Sequence, residues 1–423
     1  MSKVKIIPEL RFPDFKNEGD WDVKIVSEVA DYENGKAHEQ NIDEKGKYVV
    51  VNSKFISTDG EVRKFSNSAN CIAKKNDVLM VLSDVPNGRA IAKCFYVDKD
   101  NYYTVNQRIC KISPLKVDSK LLLYLLNRNQ FFLNFDDGVK QTNLRNEDVL
   151  NCALILPNNP IEQQKIASCL SSLDKIIATH SQKLNLLKDH KKGMMQNLFP
   201  QEGEKVPKYR FKEFENDGEW VEKTLIDTAD KNVKWSFTGG PFGSNLMASD
   251  YKESGFRIIQ LQNIGDGVFN DDNKIYASIE KADELLSCNI YASDIIISKM
   301  GDPVGRACII PDTLHRSIMA SDGIRLVVDE TKYSKYFIYS LINSKRIRGA
   351  IEKKATGTTR KRIGLDTLRE IELIVPNSPK EQQKIASCLS SLDALITTQT
   401  EKIEQLKLHK KGLMQGLFPK INE

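Results

Sequence analysis

Thirteen residues, Glu162 to Asp174 (EQQKIASCLSSLD), recur letter for letter at Glu381 to Asp393, a displacement of 381 − 162 = 219. So long an identity marks a chain built twice. At the same displacement, Pro157 and Pro160 answer to Pro376 and Pro379. Lys191-Lys192-Gly193 and Leu198-Phe199-Pro200 answer to Lys410-Lys411-Gly412 and Leu417-Phe418-Pro419. At the other end of each copy, Arg11-Phe12, Phe15 and Trp21 return as Arg210-Phe211, Phe214 and Trp220, 210 − 11 = 199 residues later, so the second copy carries a longer middle. The ends of the copies match and their middles diverge.

At 423 residues the chain exceeds one ordinary core, and duplication divides it into variable domain, helix, variable domain, helix. The expected boundaries are 1–156, 157–200, 201–375 and 376–423. Eight cysteines without a CxxC pair, and a charged stretch after Met1 in place of an apolar leader, read as a reduced, cytoplasmic protein. No apolar run approaches the roughly 18 residues of a spanning helix, which excludes the membrane class. A net charge of +5 is too small to argue for nucleic acid by itself, so the distribution of charge must decide.

From Ile166 the apolar positions advance by alternating fours and threes through Leu170, Leu173, Ile177, His180, Leu184, Leu187, Lys191, Met194 and Leu198. The second copy repeats the walk through Ile385, Leu389, Leu392, Ile396, Gln399, Ile403, Leu406, Lys410, Leu413 and Leu417. This is a heptad seam with polar residues at matched places. Pro160 and Pro379 suit a first helical turn, Glu162 and Glu381 suit its positive end, and Pro200 and Pro419 close the pattern. Each helix is therefore expected to run near 40 residues, about 60 Å. Two such seams in one chain most simply pair antiparallel about a pseudo-twofold axis; the alternative is pairing with a helix of another chain. His180 and Gln399 read as register-setting seam residues, and His190 and His409 as solvated.

Residues 22–155 and 221–374 alternate short apolar runs with Gly, Pro, Asn and Asp, an α+β pattern dominated by strands with helices late in each. Asp77-Val-Leu-Met-Val-Leu-Ser-Asp84, followed by Gly88-Arg89-Ala90, aligns with Asp294-Ile-Ile-Ile-Ser-Lys-Met-Gly301, followed by Gly305-Arg306-Ala307. A buried strand leads into a turn that is expected to lift one arginine. Leu122-Leu-Tyr-Leu-Leu126 aligns with Phe337-Ile-Tyr-Ser-Leu341 as an apolar helix. Gly138-Val-Lys-Gln-Thr-Asn-Leu144 then stands against Gly357-Thr-Thr-Arg-Lys-Arg-Ile363.

The most basic stretch of the chain surrounds Gly357: Lys345, Arg346, Arg348, Lys353, Lys354, Arg360, Lys361 and Arg362, with Glu352 the one acid among them. Cations and hydroxyls beside a flexible glycine suit phosphate oxygens and base edges, whereas a charge run alone is equally a solvated helix end. Occurrence at matched places in both copies favours DNA. In the second domain the candidate contacts are Thr358, Thr359, Arg360, Lys361 and Arg362, with Lys299 and Arg306. In the first they are Arg89, Lys140, Gln141, Thr142, Asn143 and Arg145, beside Asp136 and Asp137, which make that loop less basic. Thr238-Gly-Gly-Pro-Phe-Gly-Ser244 reads as an ordered loop offering Phe242 and Ser244; it lacks the Gly-Lys-Ser/Thr ending of a P-loop. The first domain has no such stretch.

Catalytic motifs are missing: there is no Asn-Pro-Pro-Tyr or Asp-Pro-Pro-Tyr run of an amino-methyltransferase, no P-loop and no metal-spaced His/Cys cluster. The residues point to recognition rather than reaction.

Together these features resemble the specificity (S) subunit of type I restriction-modification systems, over nearly the whole chain. The marks are the Pro-x-x-Pro-x-Glu-Gln-Gln-Lys-Ile-Ala helix starts, Leu173-Asp174 and Leu392-Asp393, the Lys-Lys-Gly and Leu-Phe-Pro ends, and, in the second domain, Gly-Pro-Phe-Gly-Ser, Gly301-Asp302 with Gly305-Arg306-Ala307, and Gly357-Thr-Thr. The first domain departs, with Ser83-Asp84 and Gly138-Val-Lys in the corresponding places. The resemblance implies an α+β fold of two strand-rich target-recognition domains in pseudo-twofold repeat, separated by two long helices that form an antiparallel coiled coil. It implies that each domain reads one half of a split site in double-stranded DNA, and that the helices act as a ruler and dock two modification (M) methyltransferase subunits; the thirteen-residue repeat is the expected docking surface. Half-sites on one DNA face lie about 34 Å apart, within the length of such helices. No cofactor is expected on this chain. S-adenosylmethionine, ATP and Mg would belong to the M subunits and to restriction (R) subunits where those exist. A self-contained methyltransferase or nuclease, a stand-alone DNA-binding regulator and a coiled-coil scaffold are the competing classes.

Overall fold

The computed structural model describes residues 6–419, the side chain of Glu39 excepted; Met1 and the residues nearest it, on which the expectation about a leader rests, lie outside that range. Five helices carry the architecture: α1 (Ser119–Leu126), α2 (Pro160–Leu198), α3 (Lys335–Ile342), α4 (Lys345–Lys354) and α5 (Pro379–Leu417). The two long helices, α2 and α5, have 39 residues each, about 58 Å at the α-helical rise. Pro160 and Pro379 are their first residues, where a missing N–H leaves no helical bond unmade.

The chain forms two compact units. One gathers the residues up to Ser181 and those from Glu401 onward; the other is Gln182–Thr400. The units therefore divide both long helices and do not follow the two copies. In the first unit, Ile166 and Leu170 of α2 share a core with Leu417 of α5, and Asp174 meets Lys410. Residue numbers rise along one helix as they fall along the other, so the pairing is antiparallel. The second unit repeats the relation: Leu198 of α2 shares a core with Ile385 and Leu389 of α5, and Lys191 meets Asp393. Further along the seam, Leu173, Ile177, Leu184, Leu187, Ile396 and Leu406 are half-buried and Leu392 and Ile403 buried, while the off-seam Ile176, Leu186, Leu395 and Leu408 are exposed.

Each unit is organised around the start of one long helix. Arg11 donates Nε and Nη2 to the two carboxylate oxygens of Glu162, both at 2.8 Å, and Arg210 does the same to Glu381. The glutamate side chains are only 1% exposed. Hydrogen bonding to Glu162 holds the Arg11 guanidinium above its ordinary pKa. In the second unit the Trp220 indole N–H also donates to Glu381. The next residue of each helix ties in the variable domain: Gln163 accepts from the backbone N–H of Asp118, which caps α1, and Gln382 from that of Ser334, which caps α3. The arm bearing the arginine then reaches the end of the other long helix, with Leu10 N–H donating to the Gly416 carbonyl and Tyr209 N–H to that of Asn197, at 2.8 and 2.9 Å.

The variable domains share a sheet order. In the first, a four-stranded antiparallel sheet runs Ala30–Asn34, Ile109–Pro114, Val78–Val81, Cys94–Tyr96; in the second, Phe237–Gly239, Gly323–Leu326, Ile295–Ser298, Ala307–Ile309. Central strands made of unbroken apolar residues are explained by burial on both faces. Val78 and Met80 join one core and Leu79 and Val81 another; likewise Ile295 and Ile297 face one core and Ile296 a second. This is the period of two expressed in a strand with no solvent side. A second sheet, holding Tyr48–Val51 in the first domain and Phe256–Ile259 in the second, covers the far core, and Asp22–Ile25 and Val221–Thr224 pair antiparallel with Ala153–Leu156 and Glu372–Val375 just before each long helix.

Substituting Arg210→Ala leaves Glu381 buried without a cation and should cost about 3–5 kcal/mol of unfolding free energy, while Arg210→Met with Glu381→Leu should cost far less. Chemical denaturation of the three proteins checks this, and an equal loss in both variants would contradict it.

Candidate nucleic-acid interface

In each domain the structure joins two stretches that the sequence aligns only separately. In the second domain, Met300–Gly301, just beyond the central strand, pairs antiparallel with Lys361–Arg362. The ladder continues as Ile363 N–H donates to the Lys299 carbonyl, and Thr356 and Arg362 exchange backbone bonds of 2.9 and 2.8 Å that close the loop at Gly357. Gly357 has φ +100°, a conformation other residues avoid. In the first domain the equivalent ladder is Ser83–Asp84 against Thr142–Asn143, extended by Leu144 N–H to the Leu82 carbonyl.

Asp322-Gly323 gathers three loops of the second domain. The Asp322 carbonyl accepts from Lys299 N–H at 2.7 Å, its carboxylate binds Arg362 Nη2 at 3.0 Å, and the Gly323 carbonyl accepts from Gly240 N–H at 2.8 Å. Gly240 is required by proximity: a Cβ there would lie 1.9 Å from the Ala320 carbonyl oxygen. Thr238 and Gly239 belong to a strand, so only the rest of the glycine-rich stretch is loop. From it Phe242 projects 83% exposed, with Ser244 exposed beside it.

Half of the eight cations in the basic stretch of the second domain form ion pairs, three of them with carboxylates distant in sequence. Lys353 pairs with Glu202, Arg348 approaches Asp266, Arg362 pairs with Asp322, and Arg346 donates to the Gln201 and Glu204 carbonyls. Lys361 pairs with Glu352, whose carboxyl pKa it lowers. Burial lowers the Arg348 pKa, an effect opposed by Asp266 and reinforced by Arg306. Lys345, Lys354 and Arg360 are exposed and outside ion pairs among the described residues. Thr358 and Thr359 are exposed and Lys299 half-buried. The turn does not lift Arg306, which is half-buried with Nε enclosed and unpartnered. Its loop lies against α4, where a Cβ on Gly305 would come within 2.7 Å of Ile351.

The first domain does lift its arginine: Arg89 is exposed. Asp84 shapes that loop by accepting from the N–H groups of Val85, Ala90 and Ile91 at 2.9, 2.6 and 3.1 Å. Asn87 bridges to the Gly138 carbonyl. Asp136 and Asp137 are loop formers as well as charges, since Asp136 accepts from Gly138 N–H, and Asp137 from Val139 and Lys140 N–H, which lowers the Asp137 pKa. Lys140, Gln141, Asn143 and Arg145 are exposed, and Gln141 donates to Ser83 Oγ. Thr142 turns inward, 5% exposed. Asp84, Asn87 and Asp322 organise these loops without any sequence motif to announce them; Asp322-Gly323 carries at most an ordinary turn signal.

Among the described residues no group of His, Cys, Asp and Glu could hold a metal, and no helix is long and apolar enough to cross a membrane. Residues 18–189 and 251–408 match the family described as type I restriction modification DNA specificity domain. The chain is 24% identical over 411 residues to the type I restriction enzyme MjaVIII specificity subunit of Methanocaldococcus jannaschii, covering 94% of this chain and 92% of that protein. The crystal structure of a type I restriction-modification S subunit from M. genitalium superposes with a TM-score of 0.63 at 17% identity, covering 99% and 100% of the two chains. A second solved chain, from work on complex assembly and conformational transition of the type I R-M system, gives 0.53 at 16% identity, covering 94% and 97%. With its two strand-rich domains, its repeated antiparallel helices and a family match over most of its length, the chain belongs to the type I restriction-modification DNA specificity family.

Proposed function

We propose that the chain is the non-catalytic DNA-recognition and scaffold subunit of a type I restriction-modification complex, in which each variable domain reads one half of a bipartite site. The observation that carries this reading is the matched ladder in both domains, which presents different side chains from one backbone frame. In the second domain Arg360, Thr358 and Thr359, with Phe242 and Ser244 from the neighbouring loop, form the reading surface; Lys361 and Arg362 position it through their ion pairs. In the first domain Arg89, Lys140, Gln141, Asn143 and Arg145 serve, and Thr142 supports the loop from inside. Amide and guanidinium groups of this kind discriminate base edges, and the remaining cations hold phosphates.

The long helices set the separation of the half-sites and dock two methyltransferase subunits, which would supply S-adenosylmethionine chemistry on adenine. Restriction subunits using ATP and Mg would complete a cleaving assembly. Docking must use the outward faces of the helices, because Glu162, Gln163, Ile166, Ala167 and Leu170 of the repeat are turned into their own unit.

In the chain assembled with its methyltransferase partner, Arg360→Ala should weaken binding to one half-site by about 1–3 kcal/mol, roughly 5- to 150-fold, and leave the other unchanged. Binding to duplexes carrying single half-site changes measures this; equal loss at both halves, or none, would refute the assignment. Gly240→Ala, by driving the Phe242 loop off Ala320, should cost about 1–3 kcal/mol of stability and weaken the same half-site. Thermal melting beside the binding assay tests that pairing of effects. Methylated-adenine maps with and without the gene should show a split motif that vanishes with it.

A further inference from the structure

We infer that two Tyr–Asp–Lys triads, one in each unit, are positioning residues that lock α2 against α5 in a single register and seat each variable domain on it, narrowing the half-site separations the chain accepts. In the first unit Asp174 of α2 accepts Tyr124 Oη from α1 at 2.6 Å and Lys410 Nζ from α5 at 2.5 Å, and the lysine also lies 5.0 Å from the Tyr124 ring centroid. In the second unit Asp393 of α5 accepts Tyr336 Oη from α3, and Lys191 Nζ from α2 at 2.6 Å. Each carboxylate thus ties together three elements: both long helices and the variable domain.

The spacing makes this a two-point lock. Each lysine lies seventeen residues beyond the aspartate of its own helix (191 − 174 and 410 − 393), so both cross-helix pairs close in the same antiparallel register. A slide of one heptad would bring Ile403 or Leu417 to the place of Lys410, and Leu184 or Leu198 to that of Lys191. Both carboxylates would lose their cations and face those apolar residues instead, the arrangement by which polar residues along a seam enforce one register.

The tyrosines show that the contact is kept although the domains differ. Counted from the equivalent caps Asp118 and Ser334, Tyr124 is the sixth residue and Tyr336 the second, one helical turn apart on the same face. Two unlike helices deliver a hydroxyl to the same carboxylate position from different turns.

This inference rests on the reading of a bipartite site, and two measurements separate their failures. In the chain assembled with its methyltransferase partner, Lys191→Met with Lys410→Met should lower discrimination between the preferred half-site separation and separations one or two base pairs away by about tenfold or more, with each half-site's sequence preference intact. Tyr124→Phe with Tyr336→Phe should move the same ratio less. Independently of DNA, spin labels at Ile176→Cys and Leu408→Cys, with the half-buried Cys94, Cys169 and Cys388 replaced by serine, should give one distance in the parent. The lysine variant should add a second, longer distance, because labels that start at one level (176 + 408 = 174 + 410) are offset along the axis by about 10 Å, one heptad of rise. A single unchanged distance and unchanged discrimination, with only a lower melting temperature, would overturn the lock. A new distance population with no dependence on half-site separation in the parent would overturn the bipartite reading and, with it, the link from register to separation.

Discussion

Everything in each unit converges on a buried ion pair between an arm arginine and the glutamate at the third position of a long helix. The charge of Glu162 or Glu381 can be buried so completely because a bidentate guanidinium neutralises it with near-ideal geometry. Around it the adjacent glutamine holds the cap of a domain helix, and the arm continues to the end of the opposite long helix. The pair therefore decides where the arm, the variable domain and both helices meet. It also accounts for part of the thirteen-residue identity: the glutamate, first glutamine, isoleucine, alanine and first leucine are buried at that junction in both copies.

What could be read in the chain was whatever is written in local period. The long helices begin at Pro160 and Pro379 and end at Leu198 and Leu417 because proline and a heptad pattern are short-range signals. The central strands were legible as apolar runs. The site was legible only in outline, because its chemistry depends on neighbours from far along the chain. Glu202, Asp266 and Asp322 neutralise cations that look free in sequence, with only Glu352 nearby. Arg306 and Arg89 occupy matched letters, yet α4 packs under the first and nothing comparable covers the second among the described residues. The aligned Tyr124 and Tyr339 likewise differ in role: Tyr339 donates to the Gly267 carbonyl, and Tyr336 takes the contact with Asp393.

The two domains show how one backbone frame can support unlike surfaces. The ladder beyond the central strand depends on main-chain bonds, which most side chains permit, so the residues projecting from it can differ between the domains. Where the second domain stabilises its loops by drawing them to Asp322-Gly323, the first uses carboxylates that accept from loop N–H groups, namely Asp84, Asp136 and Asp137. The acids that lower the charge of the first domain are thus the cost of holding its shape without the glycine-rich loop.

Because the compact units divide both long helices, each unit is finished by a helix end belonging to the other copy. A variable segment is consequently bounded by parts that both copies share: an arm with its arginine and tryptophan, a helix start with its glutamate and glutamine, and a helix end. These amount to a standard fitting. A foreign variable segment with a capped helix for the glutamine would meet the same fitting whichever unit received it, so such segments are exchangeable as wholes without redesigning the junction.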